Sequence, residues 1–207
     1  MLDSHTPKAQ NNRLLSLQVC NTMGLFRRSK PKKNPDTPID PATLVEGKTV
    51  SVLFVCMGNI CRSPTAQGVF SRLVKEAGLE DKIGIDSAGT ISYHVGRPPD
   101  SRAQTAAKER GYDLSEYRAR LVEAIDCERF DYILVMDETN MLDVRSVVPK
   151  SCWSKLRLFL DFDPAGRKGR EVPDPYSGGA NEFERVLDLV EKAAGGLLDH
   201  LRTVHDL

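Results

Sequence analysis

Val50-Ser51-Val52-Leu53-Phe54-Val55 runs without interruption into Cys56-Met57-Gly58-Asn59-Ile60-Cys61-Arg62-Ser63-Pro64. All but Ser51 in the first stretch are apolar, and most are β-branched or aromatic, which is the profile of a buried strand. Ser63 is a good N-cap type, and Pro64 suits the first turn of a helix. A strand, a short loop and a helix start therefore meet within a few residues. Such a junction restricts the chain to folds built from strand–helix units, whose strands come out parallel.

The rest of the chain keeps this alternation. The first helix is expected to end near Gly78, and Ile83-Gly84-Ile85-Asp86 reads as a short second strand leading into Ser87-Ala88-Gly89-Thr90. A helix over about 99–110 is stopped by Gly111. Residues 131–136 form a third strand, Glu138 to Val147 a helix, and residues 156–159 a fourth strand. Asn181 to Val204 closes the chain as an amphipathic helix, with Phe183, Val186, Leu187, Val190, Leu197, Leu198 and Leu201 on its core side. The pattern is that of an α/β protein, an open parallel sheet covered by helices on both faces. Ligands of such sheets bind at the carboxyl ends of the strands, where the Cys56 loop falls.

With 207 residues, 40% of them hydrophobic, the chain can bury one core but is short for two domains. Lys+Arg and Asp+Glu both number 29, so no global field favours nucleic acid or a membrane surface. Five cysteines are an odd number without repeated spacing. They argue against a disulfide framework and for reduced thiols in a cytoplasmic compartment. No apolar run approaches a bilayer-spanning length. Residues 1–47 are basic around Arg27-Arg28-Ser29-Lys30 and rich in proline, and read as a flexible extension ahead of a 48–207 domain. Leu14 to Phe26 is mildly apolar but interrupted by polar residues, so membrane association through this arm is not favoured.

A cysteine, five residues, an arginine and a serine form a pattern able to wrap a phosphate around a thiolate. Free cysteine is mostly protonated at neutral pH, so the anion needs support. Backbone N–H groups of Met57, Gly58, Asn59, Ile60 and Cys61 can converge as an anion nest, and the following helix points its positive end there. Gly58 and Asn59 tolerate the backbone conformations such a loop needs. Arg62 offers a planar pair of donors to phosphate oxygens, and Ser63 a hydroxyl to the Cys56 sulfur. On its own C-x5-R is weak and could mark a buried structural cysteine; the strand before it and the helix after it decide for the phosphate loop. Asp174, set between Pro173 and Pro175, is the matching proton donor for a leaving oxygen. Alone, Asp-Pro would be merely a turn.

Together, the 50–64 segment and Asp174-Pro175-Tyr176 closely resemble the low-molecular-weight protein-tyrosine phosphatases. The likeness runs from about Val50 to Leu201 and includes the 86–90, 95–100 and 130–137 segments. It implies a flavodoxin-like, three-layer fold with a four-stranded parallel sheet and no metal or cofactor. It also implies two steps: phosphorylation of Cys56 while Asp174 protonates the phenol, then release of inorganic phosphate by water. The expected partner is a phosphotyrosine-containing protein, a tyrosine kinase among the fitting candidates. By the same resemblance Asn59 supports the loop through Ser63 and Ser87, Tyr93, His94 and Tyr176 line the substrate groove, and Cys61 can form a reversible disulfide with Cys56. One departure stands out: Tyr117 lies where many relatives carry a histidine supporting the loop serine, and a phenol cannot become cationic.

Other chemistries fit less well. Phosphoarginine phosphatases share the scaffold but tend to carry threonine where this chain has Ile60. Thioredoxin-coupled arsenate reductases need a cysteine pair after the third strand, where Met136-Asp137-Glu138 stands and Cys152 is alone. An inactive phosphate-binding module would not need Cys56, Arg62 and Asp174 together. A Cys–His hydrolase lacks a suitable base, since besides His94 the histidines are His5, His200 and His205.

Overall fold

In the computed structural model, which describes residues 40–166 and 168–207, the elements run α1 (Pro41–Val45), β1 (Val50–Cys56), α2 (Arg62–Glu76), β2 (Ile83–Gly89), α3 (Ser101–Glu109), α4 (Asp126–Arg129), β3 (Tyr132–Val135), α5 (Glu138–Val147), β4 (Leu156–Leu158) and α6 (Ala180–His205). Two 3-10 turns, Lys150–Lys155 and Phe159–Phe162, flank β4. Most of the expected extension, including the Leu14–Phe26 segment, lies outside the described residues. Among the described residues no helix is long and apolar enough to cross a membrane.

The four strands are parallel and ordered β2-β1-β3-β4. β1 is central and buried at every position, as its almost wholly apolar sequence requires. Its alternate side chains enter two separate cores. Val52 and Phe54 join α2 and α6, with Phe54 edge-on to Phe70 at 5.7 Å and Phe159 at 5.1 Å. Leu53 and Val55 face Val122, Phe130, Met141 and Val144 on the α4–α5 side. Helices thus cover both faces. Register pairs Val55 with Ala88 on one side and Val135 on the other, so the carboxyl ends of three strands finish level around Cys56. This is the switch point where strand order reverses, and it is where a ligand crevice belongs.

The core face of α6 holds all seven residues expected there, plus Ala193 and Ala194. Element ends moved: β2 extends to Gly89, while β3 and β4 are shorter than their apolar runs. α2 begins at Arg62, with Cys61 in the N-cap position and no side-chain cap. Ser63, expected as the cap, lies inside the helix because its hydroxyl is drawn into contacts with Cys56, Asn59 and Ala88.

Two findings differ from the sequence reading. Residues 41–45, assigned by composition to the extension, form α1, capped by Asp40 through Ala42 N–H (2.9 Å) and opened by Pro41. α1 packs so closely on β2 that a Cβ at Gly84 would lie 2.7 Å from Leu44 O. Cys152, read as solitary, is joined to Cys127 in a disulfide, with Cα atoms 5.9 Å apart. Both sit in the buried cluster on the α4–α5 side, brought together by the sheet although 25 residues separate them. Spacing alone cannot show such a pairing.

Candidate active site

The loop between β1 and α2 closes around the Cys56 sulfur. Cys56 is the last residue of β1 and is 2% exposed. Its Sγ lies 3.1 Å from Ser63 Oγ and accepts Asn59 N–H at 3.3 Å. Asn59 has φ 54°, the left-handed conformation that the Gly-Asn pair led us to expect of this loop. That turn is fixed by its side chain: Nδ2 donates to Ser63 Oγ (2.9 Å) and Ser87 Oγ (2.8 Å), and Oδ1 accepts Arg120 N–H (2.9 Å). Gly89 lets β2 approach, since a Cβ there would meet Met57 O at 2.7 Å. Among the described residues the amides of Met57, Gly58, Ile60 and Cys61 donate to no protein acceptor. They remain available to an anion, beside the start of α2, whose first N–H groups have no intrahelical partner.

Arg62 is 2% exposed and spans the far side of this ring. Its Nη1 donates to Asp137 Oδ2 (2.5 Å) and Val172 O (3.1 Å), and Nη2 to Asp174 Oδ2 (3.1 Å). Burial works against the guanidinium charge, but Cys56, Asp137 and Asp174 outweigh it and hold the group above its ordinary pKa. Arg62 is a permanent cation aimed at the loop. Cys61 differs: burial, reinforced by Asp100, Cys56 and Asp174, pushes its thiol far up, so it stays protonated. Cys56 and Cys61 are both free.

A pocket of about 280 Å³ opens above the sulfur. Cys56, Met57, Gly58, Ile60, Cys61 and Arg62 form its floor, and Ile91, Tyr93, His94, Asp174 and Tyr176 its walls. Tyr93 and His94 rings meet edge-on at 4.8 Å, and His94 and Tyr176 lie 6.4 Å apart. The structure therefore gathers Cys56, Arg62, Asp174, the loop residues and the three groove residues at one site. Asn59, Ser63 and Ser87 form a connected network just beneath it.

The family model for low molecular weight phosphotyrosine protein phosphatase matches residues 51–206. The chain belongs to that family. It is 42% identical over 158 residues to the low molecular weight phosphotyrosine protein phosphatase of Gallus gallus, covering 75% of this chain and 98% of the relative. The Homo sapiens relative of the same name is 43% identical over 145 residues, covering 69% and 90%. A solved protein tyrosine phosphatase from Entamoeba histolytica superposes with a TM-score of 0.71 at 40% identity, covering 74% of this chain and 97% of that one.

Within this protein-tyrosine phosphatase the sequence reading missed several residues. Asp137 follows β3 at the strand's carboxyl end and closes the 130–137 segment of the family likeness, but nothing in the sequence tied it to Arg62. Gln67 is buried one turn along α2 and accepts Ser87 O–H at 2.7 Å. It ends the network that Tyr117 was expected to affect. Tyr117 lies against this stretch of α2, where a Cβ at Gly68 would meet its Cε2 at 3.6 Å, and burial keeps its phenol above its ordinary pKa. Arg102 borders the groove and stacks on Tyr176.

Proposed function

We propose that this chain hydrolyses phosphotyrosine monoesters on proteins through a phosphocysteine at Cys56. The observation that carries the reading is one pocket holding the Cys56 sulfur, a buried Arg62 fork and the Asp174 carboxyl, under an aromatic rim. In the first step the sulfur bonds to phosphorus, the phosphorus–phenol bond breaks, and the Asp174 proton passes to the phenolic oxygen. In the second, water oxygen bonds to phosphorus, Asp174 takes one water proton, and the thiolate leaves. Free loop amides and Arg62 neutralise the phosphoryl oxygens in both steps, so the side chains complete the reaction without a metal.

Arrival of a phosphate dianion draws the Arg62 fork to its oxygens and away from Asp174. The carboxyl then loses a cationic partner and faces the phosphate, whose leaving oxygen it serves. Ser63 has one hydroxyl proton and two acceptors, Cys56 Sγ and Ala88 O. Because Asn59 fills its acceptor side, that proton can follow the charge on sulfur. Tyr93, His94, Ile91 and Tyr176 form walls deep enough for a phosphorylated phenol, and Ile60 adds an apolar floor. Inorganic phosphate is the product and a tyrosine kinase a fitting substrate. Cys61 serves as the resolving thiol: after a peroxide converts Cys56 to its sulfenic acid, the Cys61 sulfur bonds to the Cys56 sulfur as its proton passes to the departing hydroxyl, giving a disulfide and water. The catalytic unit spans 48–207, and its setting is the cytoplasm.

Steady-state hydrolysis of p-nitrophenyl phosphate and of matched phosphotyrosine and phosphoarginine peptides tests this reading. The expected result is turnover of the first two, little of the third, and loss to background in Cys56→Ser. Turnover that survives Cys56→Ser would exclude the phosphocysteine route.

A further inference from the structure

We propose that Arg102 is a positioning residue for the acid step, a fork that ties the Asp174 segment to the body carrying the phosphate loop. This rests on the reading of Asp174 as the acid. Arg102 is the second residue of α3, and its guanidinium is oriented by the N-cap residue Asp100. Arg102 N–H and Nε donate to Asp100 Oδ1 (2.8 and 3.0 Å), and Nη2 donates to Oδ2 (2.8 Å). These bonds also hold the Asp100 carboxyl below its ordinary pKa. Asp100 is fixed to the phosphate loop, because its N–H donates to Ile60 O at 2.8 Å. The guanidinium plane is thus referenced to the loop that binds phosphate.

Its remaining edge and face engage the acid segment. Nη1 donates to Gly178 O at 3.2 Å, and the plane lies 5.5 Å from the Tyr176 ring and 4.8 Å from the Phe183 ring of α6. Tyr176 N–H in turn donates to Asp174 Oδ1 at 3.2 Å. A continuous path runs from Ile60 through Asp100, Arg102 and Tyr176 to the carboxyl group.

Few other tethers hold this segment. Its upstream end is fixed where Val172 N–H donates to Met136 O (2.8 Å) and Arg62 donates to Val172 O (3.1 Å). Between there and α6, among the described residues, the segment's hydrogen bonds to the body come from two arginines: Arg62 to Asp174 and Arg102 to Gly178. Bound phosphate takes the first for itself. Arg102 is then left as the hydrogen-bonding tether, beside the packing of buried Pro175, while the proton is delivered, when the position of Asp174 matters most.

A simpler view makes Arg102–Asp100 an ordinary ion pair at a helix start, with a half-exposed side chain and little worth. The two views separate by leaving group. The test measures kcat/KM for Arg102→Met and Arg102→Lys on phenyl phosphate, whose leaving group needs the proton, and on p-nitrophenyl phosphate, whose leaving group barely does. For Arg102→Met we expect about a tenfold loss on phenyl phosphate and less than about twofold on p-nitrophenyl phosphate, out of the 10²–10⁴ that a proton donor supplies. Arg102→Lys keeps the charge for Asp100 but not the planar fork, so it folds normally and shows the same split. In an Asp174→Asn background Arg102→Met should cost nothing further. Equal losses on both substrates, or losses additive with Asp174→Asn, overturn the role of Arg102 alone. An Asp174→Asn variant with no leaving-group dependence overturns the acid reading itself, and this inference with it.

Discussion

Asn59 is the residue on which the phosphate loop turns. Holding a non-glycine residue at φ 54° costs about 1–2 kcal/mol, and three side-chain hydrogen bonds offset that cost. Asn59→Ala removes the bonds and keeps the strain. It should lower the melting temperature and slow iodoacetate labelling of Cys56 at pH 6. Asn59→Gly relieves the strain without restoring the bonds, so it should recover stability but not reactivity; recovery of both would show that backbone geometry alone suffices. Gln67→Met, which keeps shape but removes the acceptor for Ser87, should also slow the labelling at pH 6, and unchanged labelling would remove Gln67 from the network. The loop was legible in the sequence because the residues that build it are consecutive. Gln67, Asp137 and Arg102 were not, because their roles exist only once distant segments meet.

At the scale of elements, long apolar runs and the α6 stripe were readable, since burial imposes their periods. α1 and α4 were not: five- and four-residue helices show too little of a period, and α1 follows a proline-rich stretch. α1 carries its own prediction. A chain beginning at residue 48 should melt lower than one beginning at residue 40, with equal kcat/KM on p-nitrophenyl phosphate, because α1 covers β2 away from the pocket. A fall in kcat/KM would place α1 inside the catalytic unit. The end of α6 adds a pH effect. His200 packs on Phe162 and Tyr132, with His205, Arg157 and Lys168 as its charged or titratable neighbours. Burial, then Arg157, His205 and Lys168, lower its pKa below the ordinary 6.5. The folded state therefore resists its protonation, so the stability it supports is complete above 6.5 and declines as pH falls below. Melting temperature should drop between pH 7.5 and 5, and His200→Gln should flatten that slope; an unchanged slope would assign the loss to other groups.

Over the whole molecule, the β2-β1-β3-β4 order brings four separated stretches to one crevice: 56–63, 87–94, 137 and 172–176. The parallel sheet was readable from the alternation of elements, whereas the Cys127–Cys152 disulfide came from tertiary proximity that an odd cysteine count concealed. That disulfide lies in the other core layer, behind Leu53 and Val55. Closing a loop of 25 residues is worth about 3 kcal/mol. Reduction, or Cys127→Ala with Cys152→Ala, should therefore lower the melting temperature and leave kcat/KM unchanged; lost activity would couple the two layers. The account stands or falls on the covalent intermediate. Asp174→Ala, which lacks the base for the second step, is mixed with p-nitrophenyl phosphate, quenched in acid and digested for mass spectrometry. Phosphate on the peptide containing Cys56, matched by a burst of p-nitrophenol, is the expected result; a burst with no phosphate on Cys56, or with phosphate on another residue, would contradict it.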